Sequence, residues 1–316
     1  MTIMENIQRK RIAGALFGVA VGDALGGPVE FMSAAQIAQE HGHISSMIGG
    51  GWLSLAPGEI TDDTQMTLCV AEGIVENPDA PVQAIGRRFI EWANGGPKDI
   101  GAACASSIHN ARSIGGDAPT AAEWDAAGKA TQRAMGRPVE GNGALMRTVY
   151  PGLYYRSRVQ AVTSAERIGR MTHAGARSIE ACKLYVRMVN LLTAPGCKVQ
   201  FTEDPADFLG RECASVTEYR EAARSIKIRE ASGGWVVDSM RIAVGSLAAS
   251  GTFAEAVETA VNLGGDADTN GAITGGLAGA WYGYDAIPAE WIAALAPEVR
   301  EQLIRLAEAA SKAREG

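Results

Sequence analysis

Apolar residues in this chain recur three and four positions apart rather than every second position. That spacing gathers them on one face of a helix, and the strict alternation of a half-buried strand is nearly missing. Helices are expected at about 6–22, 62–76, 82–94, 101–114, 121–135, 175–193, 236–249, 253–263, 270–282 and 297–313. Pro78, Pro81, Pro97, Pro195 and Pro288 fall between these segments, where proline interrupts no helix. Thr120-Ala-Ala-Glu123 and Thr252-Phe-Ala-Glu255 read as capping boxes, in which hydroxyl and carboxylate serve the first backbone N–H groups. Asn-Gly at 142–143 and 270–271 precedes helical pattern, so it is read as opening helices rather than turning hairpins. The expected fold class is therefore all-α: a single compact multi-helix domain over residues 1–316, with the more polar stretch 196–232 as a peripheral insertion.

Glycine adds a detail. Gly271, Gly275, Gly279 and Gly283 recur every fourth residue and fall on one helical face. Each Gly costs a helix about 1 kcal/mol relative to Ala, so burial against a close neighbour has to offset the loss. This places the segment 270–282 at the centre of the fold. At 316 residues and 47% hydrophobic content, the chain can bury a large core.

Charge narrows the partners. The net charge is −7 and the isoelectric point is near 5.3. No basic field is available for nucleic acid or an anionic membrane, although local donors can still hold a small anion. His41, His43, His109 and His173 are scattered, which argues against a histidine zinc cage. Five cysteines with no Cys-x-x-Cys argue against a disulfide framework and for a reducing cytoplasm. Arg9-Lys10-Arg11 before the apolar run Ile12–Val21 imitates a signal peptide, but Gly22-Asp23 stands where cleavage would fall. The uncharged stretch Thr269–Tyr284 has 16 residues, too few to span a bilayer. With no coiled-coil pattern, a monomer is expected.

The chemistry concentrates in two acidic segments, Gly58-Glu-Ile-Thr-Asp-Asp-Thr-Gln-Met-Thr67 and Gly264-Gly-Asp-Ala-Asp-Thr-Asn-Gly271. Both lie at helix starts, where one Asp or Thr caps well. A cap needs one carboxylate, and adjacent Asp62-Asp63 adds repulsion that capping does not require. Hard cations give a reason for the rest. Mg²⁺ takes octahedral oxygen ligands from carboxylates, hydroxyls and water. Four carboxylates suffice for two divalent ions, which two-metal hydrolases hold about 3.5–4 Å apart.

These segments sit within a longer pattern. Gly14-Ala-Leu-Phe-Gly-Val-Ala-Val-Gly-Asp-Ala-Leu-Gly26, Pro28-Val-Glu-Phe31, Ile60-Thr-Asp-Asp-Thr-Gln-Met-Thr67, Asn142-Gly-Ala-Leu-Met-Arg147, Thr172-His-Ala-Gly175 and Gly264-Gly-Asp-Ala-Asp-Thr-Asn270 follow in order. Together they resemble the ADP-ribosylglycohydrolase family, over residues from about 10 to 284. The resemblance implies an all-helical fold with two Mg²⁺ or Mn²⁺ ions in a central cleft. By matching position it makes Thr61, Asp62, Asp63, Asp266, Asp268 and Thr269 the metal ligands. Glu30 matches a glutamate that approaches the metals in some members. Gly271 replaces the usual alanine, a change expected to affect packing more than chemistry.

The implied reaction cleaves the bond between C1 of the distal ribose of ADP-ribose and a protein side chain, through an oxocarbenium-like state. The expected partners are an ADP-ribosylated protein and ADP-ribose itself. Asp63, Asp266 and Glu30 are the candidates for the proton-accepting carboxylate. Asn142, Gly143 and Ala144 are expected to open a helix whose N–H groups suit the pyrophosphate. Arg147 and His173 are candidate substrate contacts, each with a purely structural alternative. Phe17, Met66 and Met146 read as core, Asp23 as a buried helix-end group, and Tyr150 or Tyr154 as an adenine-stacking ring. Arginine-linked substrate is favoured. Serine-linked or other ADP-ribosyl bonds, an immunity protein countering an ADP-ribosylating toxin, and another two-metal hydrolase such as a phosphoesterase are the alternatives. A crystallin-like non-catalytic relative would be expected to lose acidic ligands that are all present here.

Overall fold

A computed structural model describes residues 3–224 and 233–315. Helix α1 (Ile3–Gly26) runs into a 3-10 turn at Gly27–Val29 and a short α2 (Ala34–Glu40). Then come α3 (Asp62–Glu76), α4 (Pro81–Asn94), α5 (Ala102–Gly115) and α6 (Ala121–Ala134). Next are α7 (Val149–Tyr154), α8 (Arg158–Arg170) and α9 (Ala176–Leu192). Short helices α10 (Val199–Thr202), α11 (Pro205–Glu212) and α12 (Thr217–Ala222) follow. The chain ends with α13 (Val236–Ala248), α14 (Phe253–Asn262), α15 (Ala267–Tyr282), α16 (Ala289–Ala294) and α17 (Pro297–Glu315). Among the described residues β pairing is limited to isolated bridges, so the all-α expectation holds.

The ten expected helices all form, with ends shifted by a few residues. Seven further helices among the described residues, short or weakly apolar, carry no clear periodic signal. α8 is one: its buried face is mostly the small residues Ala161, Ser164, Ala165 and Gly169, so its apolar stripe is faint. Ser157, which accepts the Gln160 N–H, is its local mark. Thr120 and Glu123 form the expected capping box. At α14 the box is incomplete. The Thr252 hydroxyl accepts the Glu255 N–H, but the Glu255 carboxylate reaches the Gly251 N–H instead.

The segment 196–232 is not simply peripheral, a correction. Phe208, Leu209, Cys213, Val216 and Tyr219 are buried in the main core, and α11 and α12 pack on α13. Among its described residues the polar side chains are mostly solvated while the few large apolar ones dock. Residues 225–232 of that segment lie outside the described residues.

α15 is the central helix, buried from Ala267 to Trp281. It lies antiparallel to α1 along a seam without side chains. A Cβ at Gly14, Gly18 or Gly22 would fall 2.5, 2.1 or 2.1 Å from the carbonyl oxygen of Gly279, Gly275 or Gly271. The reciprocal Cβ positions are as close, which explains the glycine spacing on both helices. Asn6–Val29 is long and apolar enough to cross a membrane, yet 94% of its most apolar window is buried inside the fold.

Candidate active site

The antiparallel seam brings the C-terminal end of α1 beside the N-terminal end of α15, with Gly26 against Ala267. The chain leaving α1 therefore delivers Glu30 to the turn that carries Asp266. The Phe31 N–H donates to Gly265 O and the Gly265 N–H donates to Met32 O, each at 2.7 Å. This clamp holds Phe31 at φ +66°, a left-handed conformation unusual for a bulky side chain. One oxygen from each of Glu30, Asp266 and Asp268 then lies within 4.8 Å of the others.

The second acidic segment is drawn in by Asp23 of α1. Its carboxylate accepts the N–H groups of Thr61 and Thr64 at 3.1 Å, and both threonine hydroxyls as well. Asp23 thus caps α3 from another helix, the helix-end role expected of it. Asp62 and Asp63 in the first turn of α3 consequently face α15. The Thr269 hydroxyl donates to Asp63 Oδ2 at 3.3 Å, and the Thr61 hydroxyl approaches the same oxygen at 3.4 Å.

A cavity of about 280 Å³ opens over this cluster. Glu30, Asp62, Asp99, Asp266, Asp268 and Thr269 line it, with Gly141, Asn142, Gly143 and His173 opposite. Asp63 and Thr61 are buried below it. No lysine or arginine is among its lining residues, and the effect on the carboxyls is large. Burial first, then Asp266, Asp99 and Asp62, push Glu30 up to about 8 against the pull of its hydrogen bond from Trp52. Burial, then Asp99, Asp23 and Asp266, raise Asp62 to about 7. Asp63 and Asp268, buried among carboxylates, are raised well above their ordinary range. Asp63 Oδ1 is buried without a hydrogen-bond partner. Such buried, unpaired carboxylates are costly unless a cation neutralises them, and an all-oxygen donor set suits hard divalent ions.

The opposite wall corrects several expectations. Residues 142–148 form a turn, not a helix, and α7 begins only at Val149. The Asn142 side chain donates to Asp266 Oδ2 at 2.7 Å and to the Ser239 hydroxyl at 2.9 Å, which orients Asp266. Ala144 is buried and does not reach the cavity. Arg147 is also fully buried. Its guanidinium serves Gly143 O, Cys104 Sγ and the Thr172 hydroxyl, and lies 5.0 Å from the Phe89 ring centroid. It holds the turn from beneath, through neutral partners and a ring face, and does not line the cleft. His173 does line it. Its Nδ1 pairs with the Thr172 hydroxyl at 2.8 Å, and burial and the nearby Arg147 lower its pKa to about 3, so the ring is neutral. A Cβ on Gly141 or Gly143 would press on this ring at 3.2 and 3.1 Å.

Phe17, Met66 and Met146 are core as expected, with Met146 also at the cavity floor. Tyr150 is buried with its hydroxyl on Leu306 O, and Tyr154 stacks beside it, so neither ring meets the cleft. The rings near the acidic cluster are Phe31 and Trp52, which sequence reasoning did not single out. The Trp52 indole donates to Glu30 Oε2 at 2.7 Å. Asp99 was also missed. Burial and Asp266 raise its pKa, and its only advance sign was its place in the loop Gly95-Gly-Pro-Lys-Asp-Ile-Gly101.

In this helical scaffold buried carboxylates meet at two helix N-termini over one cleft, and Glu30, Asp266 and Asp268 are close enough together to be able to share a cation. The family model for ADP-ribosylglycohydrolase matches residues 4–316, and the chain belongs to that family. It is 34% identical over 302 residues to an ADP-ribosyl-[dinitrogen reductase] glycohydrolase of Rhodospirillum rubrum, covering 95% of each chain. It is 29% identical to an ADP-ribosylarginine hydrolase of Serratia proteamaculans, covering 97% of this chain and 80% of the relative. A solved ADP-ribosylglycohydrolase-related protein complex superposes with TM-score 0.80 at 29% identity, covering 98% of this chain and 99% of that one. The protein is accordingly an enzyme, a glycosidase of the ADP-ribosyl-hydrolysing class.

Proposed function

We propose that the enzyme hydrolyses the N-glycosidic bond between ADP-ribose and arginine in modified proteins, and depends on two Mg²⁺ or Mn²⁺ ions to do so. The carrying observation is the set of buried carboxylates at the facing ends of α3 and α15, over a cavity with no lysine or arginine in its lining. The arginine assignment is favoured by the likeness to an ADP-ribosylarginine hydrolase.

Thr61, Asp62, Asp63, Asp266, Asp268 and Thr269 would hold the ions, with Glu30 at their edge. Bound divalent ions supply Lewis acidity, orient ribose hydroxyls and make a bound water easier to deprotonate. The chain's own residues do the rest. Gly141 and Gly143 lack side chains, so a diphosphate can approach the backbone above neutral His173. Asn142 fixes Asp266. Of the three candidate bases, Glu30 and Asp266 reach the cavity and Asp63 does not. Asp266 is placed among the ion ligands and Glu30 only at their edge, so Glu30 is assigned the water's proton. Water oxygen adds to C1 as the C1–N bond breaks, and the proton that Glu30 takes from the water passes to the departing nitrogen, so the arginine leaves as guanidinium.

The test is release of free ADP-ribose from an arginine-ADP-ribosylated protein, with Mg²⁺, with chelator, and with the Asp62→Ala/Asp268→Ala variant. Mg²⁺-dependent release that the variant loses is expected. Cleavage of serine-linked substrate alone would overturn the arginine assignment, and full activity in chelator would overturn metal dependence.

A further inference from the structure

The rim beside Glu30 carries two large aromatic rings that the proposed reaction has not used. Phe31 is 66% exposed and Trp52 54% exposed, although each is anchored by its backbone or indole. Their ring centroids are 5.6 Å apart at an interplanar angle of 37°. Phe31 is held by the clamp on Gly265, and it lines the cavity. Trp52 is carried on a tight loop in which Gly49, Gly50 and Gly51 all have positive φ. Gly51 abuts Pro28, where a Cβ would lie 2.7 Å from the Pro28 carbonyl oxygen. The indole N–H is fastened to Glu30, so the ring is fixed one hydrogen bond away from the acidic cluster.

We propose that Phe31 and Trp52 form the acceptor subsite of the cleft, where the guanidinium of the ADP-ribosylated arginine stacks on their exposed faces. The inference rests on the arginine-directed reading given above. Its argument is position and charge. Trp52 touches Glu30, and Glu30 adjoins Asp266 and Asp268, where the reacting ribose carbon would lie. A group next to that carbon belongs to the leaving side chain, since the adenine is separated from it by two phosphates and a second ribose. Asp99, which is not among the proposed ion ligands, has no lysine or arginine beside it in the cavity lining, so a cationic acceptor is its complement. A planar guanidinium stacks on aromatic faces and keeps its charge, which an ammonium or hydroxyl does not combine.

The experiment compares Trp52→Ala, Trp52→Phe and wild type in two measurements with Mg²⁺: steady-state kinetics on an arginine-ADP-ribosylated protein, and calorimetric binding of free ADP-ribose, which lacks the acceptor. Trp52→Ala is expected to raise KM about tenfold while ADP-ribose affinity stays within about twofold. Trp52→Phe keeps a ring face without the N–H, and its KM is expected to remain within about threefold of wild type. A parallel loss of ADP-ribose affinity in Trp52→Ala would mean that the ring stacks adenine, and would overturn the proposal while leaving the arginine reading intact. An unchanged KM would overturn it too. Absence of wild-type cleavage of arginine-linked substrate would instead overturn the arginine reading, and the subsite with it.

Discussion

Replacing Gly18 with alanine tests the seam on which the site is built. The new Cβ would lie 2.1 Å from Gly275 O and 2.6 Å from its carbonyl carbon. Both are backbone atoms of a buried helix, so no rotamer change relieves the contact. Ordinary van der Waals contact begins near 3.4 Å, so the helices have to part locally by more than 1 Å. Overpacking of this kind costs about 1–3 kcal/mol or more. Alanine's helix propensity returns at most about 1 kcal/mol. The expected net loss is about 1–2 kcal/mol, a fall in Tm of roughly 1.5–3 °C for a chain of 316 residues. The control is Gly210→Ala in α11, where a Cβ meets nothing within 4 Å. There the propensity gain stands alone, and Tm is expected to rise slightly. Differential scanning calorimetry reads both. Equal and positive shifts in the two variants would refute the close-packed seam.

Other outcomes follow from the site. Raised folded-state carboxyls at Glu30 and Asp62 mean that the cation-free fold holds protons which the unfolded chain releases between about pH 4 and 8. Stability in chelator should therefore fall as pH rises through that window, with Tm lower at pH 8 than at pH 5 and excess Mg²⁺ restoring it; a flat profile would contradict the shifts. Asp23→Ala removes the acceptor of two α3 N–H groups and is expected to cost about 1–3 kcal/mol in urea unfolding and to weaken the Mg²⁺-dependent rise in Tm. Arg147→Lys cannot serve Gly143 O and the Thr172 hydroxyl together, and should lower stability by about 2 kcal/mol without changing the sign of any charge.

The features legible in sequence were those written locally. Asp62-Asp63 and Asp266-x-Asp268 each mark one helix start, and the four-residue glycine spacing of α15 announces a close neighbour. What was not legible depends on contacts between distant segments. Nothing around Trp52 signals that its indole meets Glu30, and nothing around Asp99 signals that its carboxyl shares a cavity with Asp266. Arg147 reads as a candidate substrate contact because it ends the Asn142–Arg147 block that resembles the family's ribose and phosphate segment. Burial decided otherwise, and periodicity carries no information about which side of a turn an arginine enters. Tyr150 failed for the same reason: an aromatic near a motif in sequence can point into the core.

The glycine seam also has a consequence for how the chain is made. Its two halves, around Gly18 and Gly275, are separated by more than 250 residues of chain. At synthesis rates of about 5–20 residues per second, α1 waits roughly 10–50 s for the helix that covers it. During that interval the glycine face of α1 lacks its native neighbour on α15. Glu30 likewise has no carboxylate neighbour on α15 until that helix has been made, so the acidic cluster joins segments far apart in the chain rather than forming within one local unit.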